Sequence, residues 1–136
     1  MADKNVRLEV VTPEKSVVSE DAAIVMAPGS QGEFGVLPGH TPFLTELATG
    51  IVRYKDQSGN EKFVFVSGGF SETLPDRVTI LAESAELRDD IDVDRAKAAM
   101  DRATKRLEDR TPDMDVIRAK AALQRALFRL KAIGGA

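Results

Sequence analysis

A chain of 136 residues, 43% of them hydrophobic and with a net charge of -3, can bury one good core and a smaller appendage, but not two full-sized domains. It contains no cysteine and one histidine, which excludes disulfides, thiolate metal sites and a zinc site of the usual kind. No apolar run approaches the roughly 20 residues that span a bilayer, and residues 1–9 lack the apolar stretch of a signal peptide, so membrane association is expected only through a partner.

From Val6 to Ala82 the pattern is that of strands: short β-rich runs separated by turn residues. Residues 7–12 alternate with Leu8 and Val10 inward, and Pro13-Glu14-Lys15 turns into Val17-Val18. Residues 22–27 (AAIVMA) form a short apolar run closed by Pro28-Gly29. Residues 51–55 and 61–67 flank a segment whose Ser58-Gly59-Asn60 reads as a hairpin tip. Phe63-Val64-Phe65-Val66 is apolar at every position and is expected to be buried on both faces. Residues 70–74 and 77–82 flank a turn at Pro75-Asp76. Many short antiparallel strands with no long helix between them predict a sandwich or flattened barrel.

Residues 32–50, GEFGVLPGHTPFLTELATG, hold four glycines and two prolines and are expected to form a loop. It either presents Glu33 and His40 in a defined place or is merely a tight corner around an aromatic or two. No Ser, Cys or carboxylate pair near His40 in sequence suggests a catalytic triad.

The tail contains a repeat. RAKAAMDRATKRL at 95–107 and RAKAALQRALFRL at 118–130 agree at nine of thirteen positions. Both favour helix, with Thr111-Pro112-Asp113 between them, so a helical hairpin is expected with helices at about 92–109 and 114–132. The domains are expected at 1–87 and 88–136. Charge divides likewise: residues 1–87 hold 7 basic and 13 acidic side chains, residues 88–136 hold 12 and 9, and from Val116 onward there are five basic and no acidic ones. That strip suits an acidic surface or a polyanion. With one Tyr, no Trp and an acidic front half, the basic groove with stacking aromatics that nucleic acid requires is missing.

On a helix, positions i, i+7 and i+11 lie within about 20° of one line. Arg95, Arg102 and Arg106 therefore make one stripe and Arg118, Arg125 and Arg129 another, each beside an apolar seam. The seams are Val93, Ala96, Met100, Ala103 and Leu107 in the first helix, and Val116, Ala119, Leu123, Ala126 and Leu130 in the second. Packed antiparallel, the two helices should bring all six cations to one groove. There they bind an anion such as a nucleotide triphosphate, or splay into solvent, or pair with Asp101, Glu108 and Asp109. The seams are mostly alanine-sized, so the hairpin should hold to itself weakly and be able to open.

The chain resembles the epsilon subunit family of bacterial F-type ATP synthases, whose mitochondrial counterpart is called delta. The resemblance rests on GEFGVLPGHTP at 32–42, FVFVSGGFSE at 63–72, RVTILAESAE at 77–86 and IDVDRAKAA at 91–99. It implies an N-terminal β-sandwich of about ten strands and a C-terminal two-helix hairpin, in a non-catalytic subunit of the rotating central stalk that couples proton transport to ATP synthesis. The implied partners are the gamma subunit and c ring, with Glu33 towards the c ring and His40 near gamma. When the tail extends, the implied partners are the alpha and beta subunits, contacted by Arg118, Lys120, Arg125, Arg129 and Lys131, with inhibition of ATP hydrolysis. The implied place is the cytoplasmic face of the bacterial plasma (inner) membrane, reached only through the complex.

Some members of that family bind ATP through a motif that Ile91-Asp92-Val93-Asp94-Arg95-Ala96 matches here. The resemblance implies a regulatory site of Glu86, Ile91, Asp92, Arg95, Ala96, Arg102, Arg125 and Arg129, for ATP with or without Mg, with Phe128 where a tight-binding relative has a polar residue. No cofactor, metal or catalytic residue is implied. The sequence contains no GxxxxGK[ST] loop, so binding would be regulatory and not hydrolytic. A free-standing nucleotide sensor and a nucleotide hydrolase are the alternatives from other classes, and the second lacks any nucleophile, base and metal pattern.

Overall fold

The computed structural model describes residues 5–134. The expected spans 1–87 and 88–136 also take in residues 1–4 and 135–136, which lie outside the described residues. The strands are β1 (Val6–Val11), β2 (Ser16–Gly29), β3 (Gly32–Val36), β4 (Phe43–Glu46), β5 (Gly50–Asp56), β6 (Glu61–Ser67), β7 (Phe70–Leu74), β8 (Arg77–Leu81) and β9 (Ser84–Leu87). A 3₁₀ turn at Arg88–Asp90 then leads to α1 (Val93–Glu108) and α2 (Val116–Ile133). This is the expected sandwich followed by a helical hairpin, with nine strands among the described residues.

The strands run in the order β4-β7-β8-β1-β2-β5-β6-β9, with β3 on β2. β2 joins the two layers. Its first half pairs with β1 and its second half with β5 and β3, with a register irregularity between Ala22 and Ile24 where the strand bends from one layer to the other. The two runs expected at Val17-Val18 and 22–27 are therefore one 14-residue strand that continues through Pro28-Gly29. Every pair is antiparallel except β1 with β8, which is parallel, so an all-antiparallel reading needs that one correction. Val6, Leu8, Val10, Val25, Val52, Val64, Val66, Val78 and Ile80 fill the space between layers.

The glycine-rich stretch 32–50 is not one loop, since it contains β3 and β4. Gly35 is in β3 for close approach: a Cβ there would lie 2.8 Å from Met26 Sδ on the paired strand. The other turns match the sequence. Asp56 accepts hydrogen bonds from the backbone N–H groups of Ser58 and Asn60, both at 2.9 Å, and Gly59 takes φ 83° at the β5–β6 tip. Between β6 and β7, Gly69 has φ 108°, and a Cβ on it would stand 2.0 Å from the Leu81 carbonyl oxygen.

Phe63-Val64-Phe65-Val66 is buried on both faces for a specific reason. Val64 and Val66 point into the sandwich, while Phe63 and Phe65 point outward into a second cluster with Ile51, Ile91 and Ala132, against which Phe128 and Ile133 pack. The C-terminal end of α2 is thus the cover on the outer face of β5 and β6.

Candidate functional site

The two helices begin in the same way. Asp92 accepts a hydrogen bond from the Arg95 backbone N–H at 3.1 Å, and Asp115 from that of Arg118 at 3.0 Å. Each is an N-cap that satisfies an otherwise unpaired donor of the first turn. The 23-residue repeat therefore includes its caps. Ala96 and Ala103 of α1 and Ala119 and Ala126 of α2 are buried, so the seams meet through side chains small enough for close helix contact. Val93 departs from the expected seam. At 37% exposure in the first turn of α1, it is left out where Ile91, and not Val93, joins the cluster under α2.

Where the hairpin meets the sandwich lies a cavity of about 280 Å³, lined by Glu86, Asp90, Asp92, Arg95, Ala96, Ala99, Arg102 and Arg129. β9 supplies Glu86, the 3₁₀ turn Asp90, the α1 cap Asp92, α1 Arg95 and Arg102, and α2 Arg129. Arg129 Nε donates to Glu86 Oε1 at 2.8 Å, and its guanidinium carbon lies 4.4 Å from the centroid of the Phe65 ring. Three guanidinium groups and three carboxylates balance one another around the cavity. The arrangement can hold a multiply charged anion on the arginines, provided that the carboxylates yield to it.

Six of the eight residues named from the family resemblance line this one cavity. Ile91 instead lies buried beneath α2 with Phe65, and Arg125 is absent from the lining. Asp90, Ala99 and Phe65 are additions. Phe65 was visible only as one letter in an apolar run, because its contact with Arg129 crosses 64 residues of chain.

The expected six-cation groove is divided. Arg106 and Arg118 line a separate cavity of about 350 Å³ at the far end of the hairpin, with Met114, Asp115 and Ala119. Antiparallel packing puts Arg95 near Arg129 and Arg106 near Arg118, and eleven residues of helix at about 1.5 Å each hold the two ends roughly 16 Å apart. The anion beside Arg129 is Glu86 from the sandwich, and no ion pair joins the arginine stripes to Asp101, Glu108 or Asp109 among the described residues. Arg118, Lys120 and Lys131 are exposed, whereas Arg125 and Arg129 are half-buried.

On the sandwich, Glu33 of β3 makes an ion pair with Arg53 at 2.8 Å. His40 Nδ1 lies 2.7 Å from the Thr41 carbonyl oxygen, and because that oxygen can only accept, Nδ1 carries the proton. The imidazole sits 5.1 Å from the Phe43 ring, which packs edge-on against Phe34 at 5.2 Å. Near this corner Leu37, Leu44, Phe70 and Leu81 are more than half exposed, and Phe70 and Leu81 are partners across β7 and β8. They form an uncovered apolar patch on the layer that does not carry the hairpin.

A network unforeseen from the sequence closes the other end of the sandwich. The buried Tyr54 hydroxyl donates to Glu20 at 2.6 Å, and Lys62 Nζ reaches Glu20 at 3.0 Å and Asp56 at 3.5 Å. The Tyr54 bond, followed by Lys62, holds the Glu20 carboxyl below its ordinary range despite burial. Burial, with Glu20 beside it, raises the Tyr54 hydroxyl well above its own.

Residues 5–88 match the family model described as ATP synthase, Delta/Epsilon chain, beta-sandwich domain, and residues 89–134 match ATP synthase, Delta/Epsilon chain, long alpha-helix domain. The ATP synthase epsilon chain of Desulfosudis oleivorans is 65% identical over 105 residues, which cover 77% of this chain and 79% of the relative. That of Pelotomaculum thermopropionicum is 55% identical over 134 residues, covering 98% and 99%. A chain in the mitochondrial ATP synthase of Euglena gracilis, solved as OSCP/F1/c-ring in rotational state 1, superposes with a TM-score of 0.81 at 26% identity, covering 97% of this chain and 82% of that one.

Proposed function

Because the chain belongs to the ATP synthase delta/epsilon family as an epsilon chain of the bacterial F-type enzyme, we propose that it works as a non-catalytic central-stalk subunit whose hairpin senses nucleotide and restrains ATP hydrolysis. The sandwich docks on the rotor. Its contacts with gamma and the c ring are the 32–40 corner, with Glu33 and His40, and the apolar patch of Leu37, Leu44, Phe70 and Leu81 beside it. Such a patch needs a cover, and a rotor partner supplies one. Placement on the cytoplasmic face of the plasma membrane is part of the same proposal and rests on that assembly.

The observation that carries the regulatory reading is the cavity in which Arg95 and Arg102 of α1 meet Arg129 of α2. At about 280 Å³ its volume is just below the about 300–1,000 Å³ usual for small-molecule sites, which suits a phosphate chain with the rest of the nucleotide at the rim. Arginine from both helices on one phosphate chain would tie the hairpin shut. When it opens, Arg118, Lys120, Arg125, Arg129 and Lys131 form a basic strip for an acidic surface on the alpha and beta subunits. ATP favours the closed form only as far as it binds that form better. Calorimetric titration of the isolated chain with ATP, with and without Mg, tests this: saturable binding at one site is expected, and absence of heat at millimolar ATP contradicts the nucleotide reading.

A further inference from the structure

The closed hairpin has a hold that does not require nucleotide. The buried seam positions between the helices are alanines, and the hairpin rests on the sandwich mainly through the last two turns of α2, where Phe128, Ala132 and Ile133 meet Ile51, Phe65 and Ile91. In the middle of that contact is one charged side chain, Arg129. Its guanidinium carbon lies 4.4 Å from the centroid of the fully buried Phe65 ring, and its Nε donates to Glu86 at 2.8 Å. A guanidinium brought this close to an aromatic core would be costly without an anion, and Glu86 is the anion.

We propose that Glu86 is a built-in counter-anion, which latches Arg129 to the sandwich so that the hairpin closes in the absence of nucleotide and which competes with a ligand's phosphate for the same arginine. The second half rests on the nucleotide reading of the cavity, whereas the first does not. Glu86 and Arg129 belong to β9 and α2, separated by 43 residues and by the whole of α1, so the pair forms only when the hairpin is docked. Among the described residues Arg129 makes no second ion pair, and it lines the same cavity as Arg95 and Arg102. A phosphate placed there stands against the Glu86 carboxylate as well as the arginines, so Glu86 lowers the affinity of the site while reducing the need for it. Of the three carboxylates around the cavity, Glu86 is thereby the one that couples nucleotide binding to closure.

Glu86→Gln tests this, because it keeps the size of the side chain and removes the charge at a strand edge. Hydrogen exchange of the α2 amides is followed in the full chain, with the sandwich amides as internal reference. Without nucleotide, the variant is expected to lose roughly tenfold in α2 protection while the sandwich is unchanged. With millimolar ATP, the protection should return, whereas the unsubstituted chain should respond far less. Protection that falls without nucleotide and is not restored by ATP upholds the latch and overturns the nucleotide reading. Unchanged protection without nucleotide overturns the latch, whatever ATP then does. Phe65→Leu, which keeps an apolar side chain but removes the ring face, should shift α2 in the same direction, and unchanged α2 protection there removes the ring from the latch.

Discussion

Replacing Ala132 with leucine is expected to undock the hairpin while leaving the sandwich folded. Ala132 is fully buried at the point where α2 approaches Ile51, Phe65 and Ile91, and Phe128 and Ile133 close the contact on either side. Three further carbon atoms have no space there. Overpacking of this kind costs about 1–3 kcal/mol, and the strain falls on the α2–sandwich contact because Ala132 takes no part in the core between the layers. A cost of that size shifts the docked-to-undocked ratio by roughly 5- to 150-fold, enough to matter for a contact this small. Hydrogen exchange should show faster exchange at the amides of residues 126–133 with no change in β1, β2, β5 and β6. Ala126→Leu, at a 1% exposed position in the helix seam, should instead loosen α1 from α2. If Ala132→Leu leaves the α2 amides as protected as before, this contact does not close the hairpin.

Arg102→Ala should weaken ATP binding to the isolated chain by at least tenfold, since a charge-assisted hydrogen bond contributes about 1.5–3 kcal/mol. Arg125→Ala, outside the cavity lining, should weaken it less, and the reverse order by calorimetry would misplace the site. Tyr54→Phe should lower stability by about 1 kcal/mol in denaturant titration and alter both limbs of the pH profile. The depressed Glu20 contributes stability above its ordinary range that is lost as pH falls through its folded value, and the raised Tyr54 contributes stability below its ordinary pKa of 10.0 that is lost as pH rises through its folded value. An unchanged profile in Tyr54→Phe would show the pair is not coupled to folding. Gly69→Ala should destabilise the sandwich severely, because its φ of 108° and a 2.0 Å clash with the Leu81 carbonyl act together, and a wild-type thermal midpoint would contradict that.

Features carried by local pattern were legible in the sequence. The helices followed from the repeat, the hairpin tip from Ser58-Gly59-Asn60, and the double burial of β6 from four successive apolar residues, since each signal lies within a few residues of the structure it produces. What depended on distant contacts was not. The parallel pairing of β1 with β8 joins residues 70 positions apart, and nothing in either strand specifies direction. Residues 32–50 read as a loop because glycine is ambiguous: Gly35 serves close packing against Met26, not a turn. For the site, the motif at 91–96 holds three of the cavity's residues, Asp92, Arg95 and Ala96, and the family resemblance supplies Glu86, Arg102 and Arg129, whereas helical geometry alone puts all six arginines in one groove. It had no knowledge of the sandwich, which takes Arg129 on Phe65 and Glu86 and leaves Arg106 and Arg118 to the opposite end.

The regulatory role of the hairpin is tested most directly by ATP hydrolysis and ATP-driven proton pumping in the assembled complex, compared between the full chain and one lacking residues 91–136. That deletion spares β9, whose Leu87 still pairs with Val64. Retained assembly and coupling with increased hydrolysis is the result expected, and a complex that hydrolyses ATP no faster without the hairpin would contradict the account.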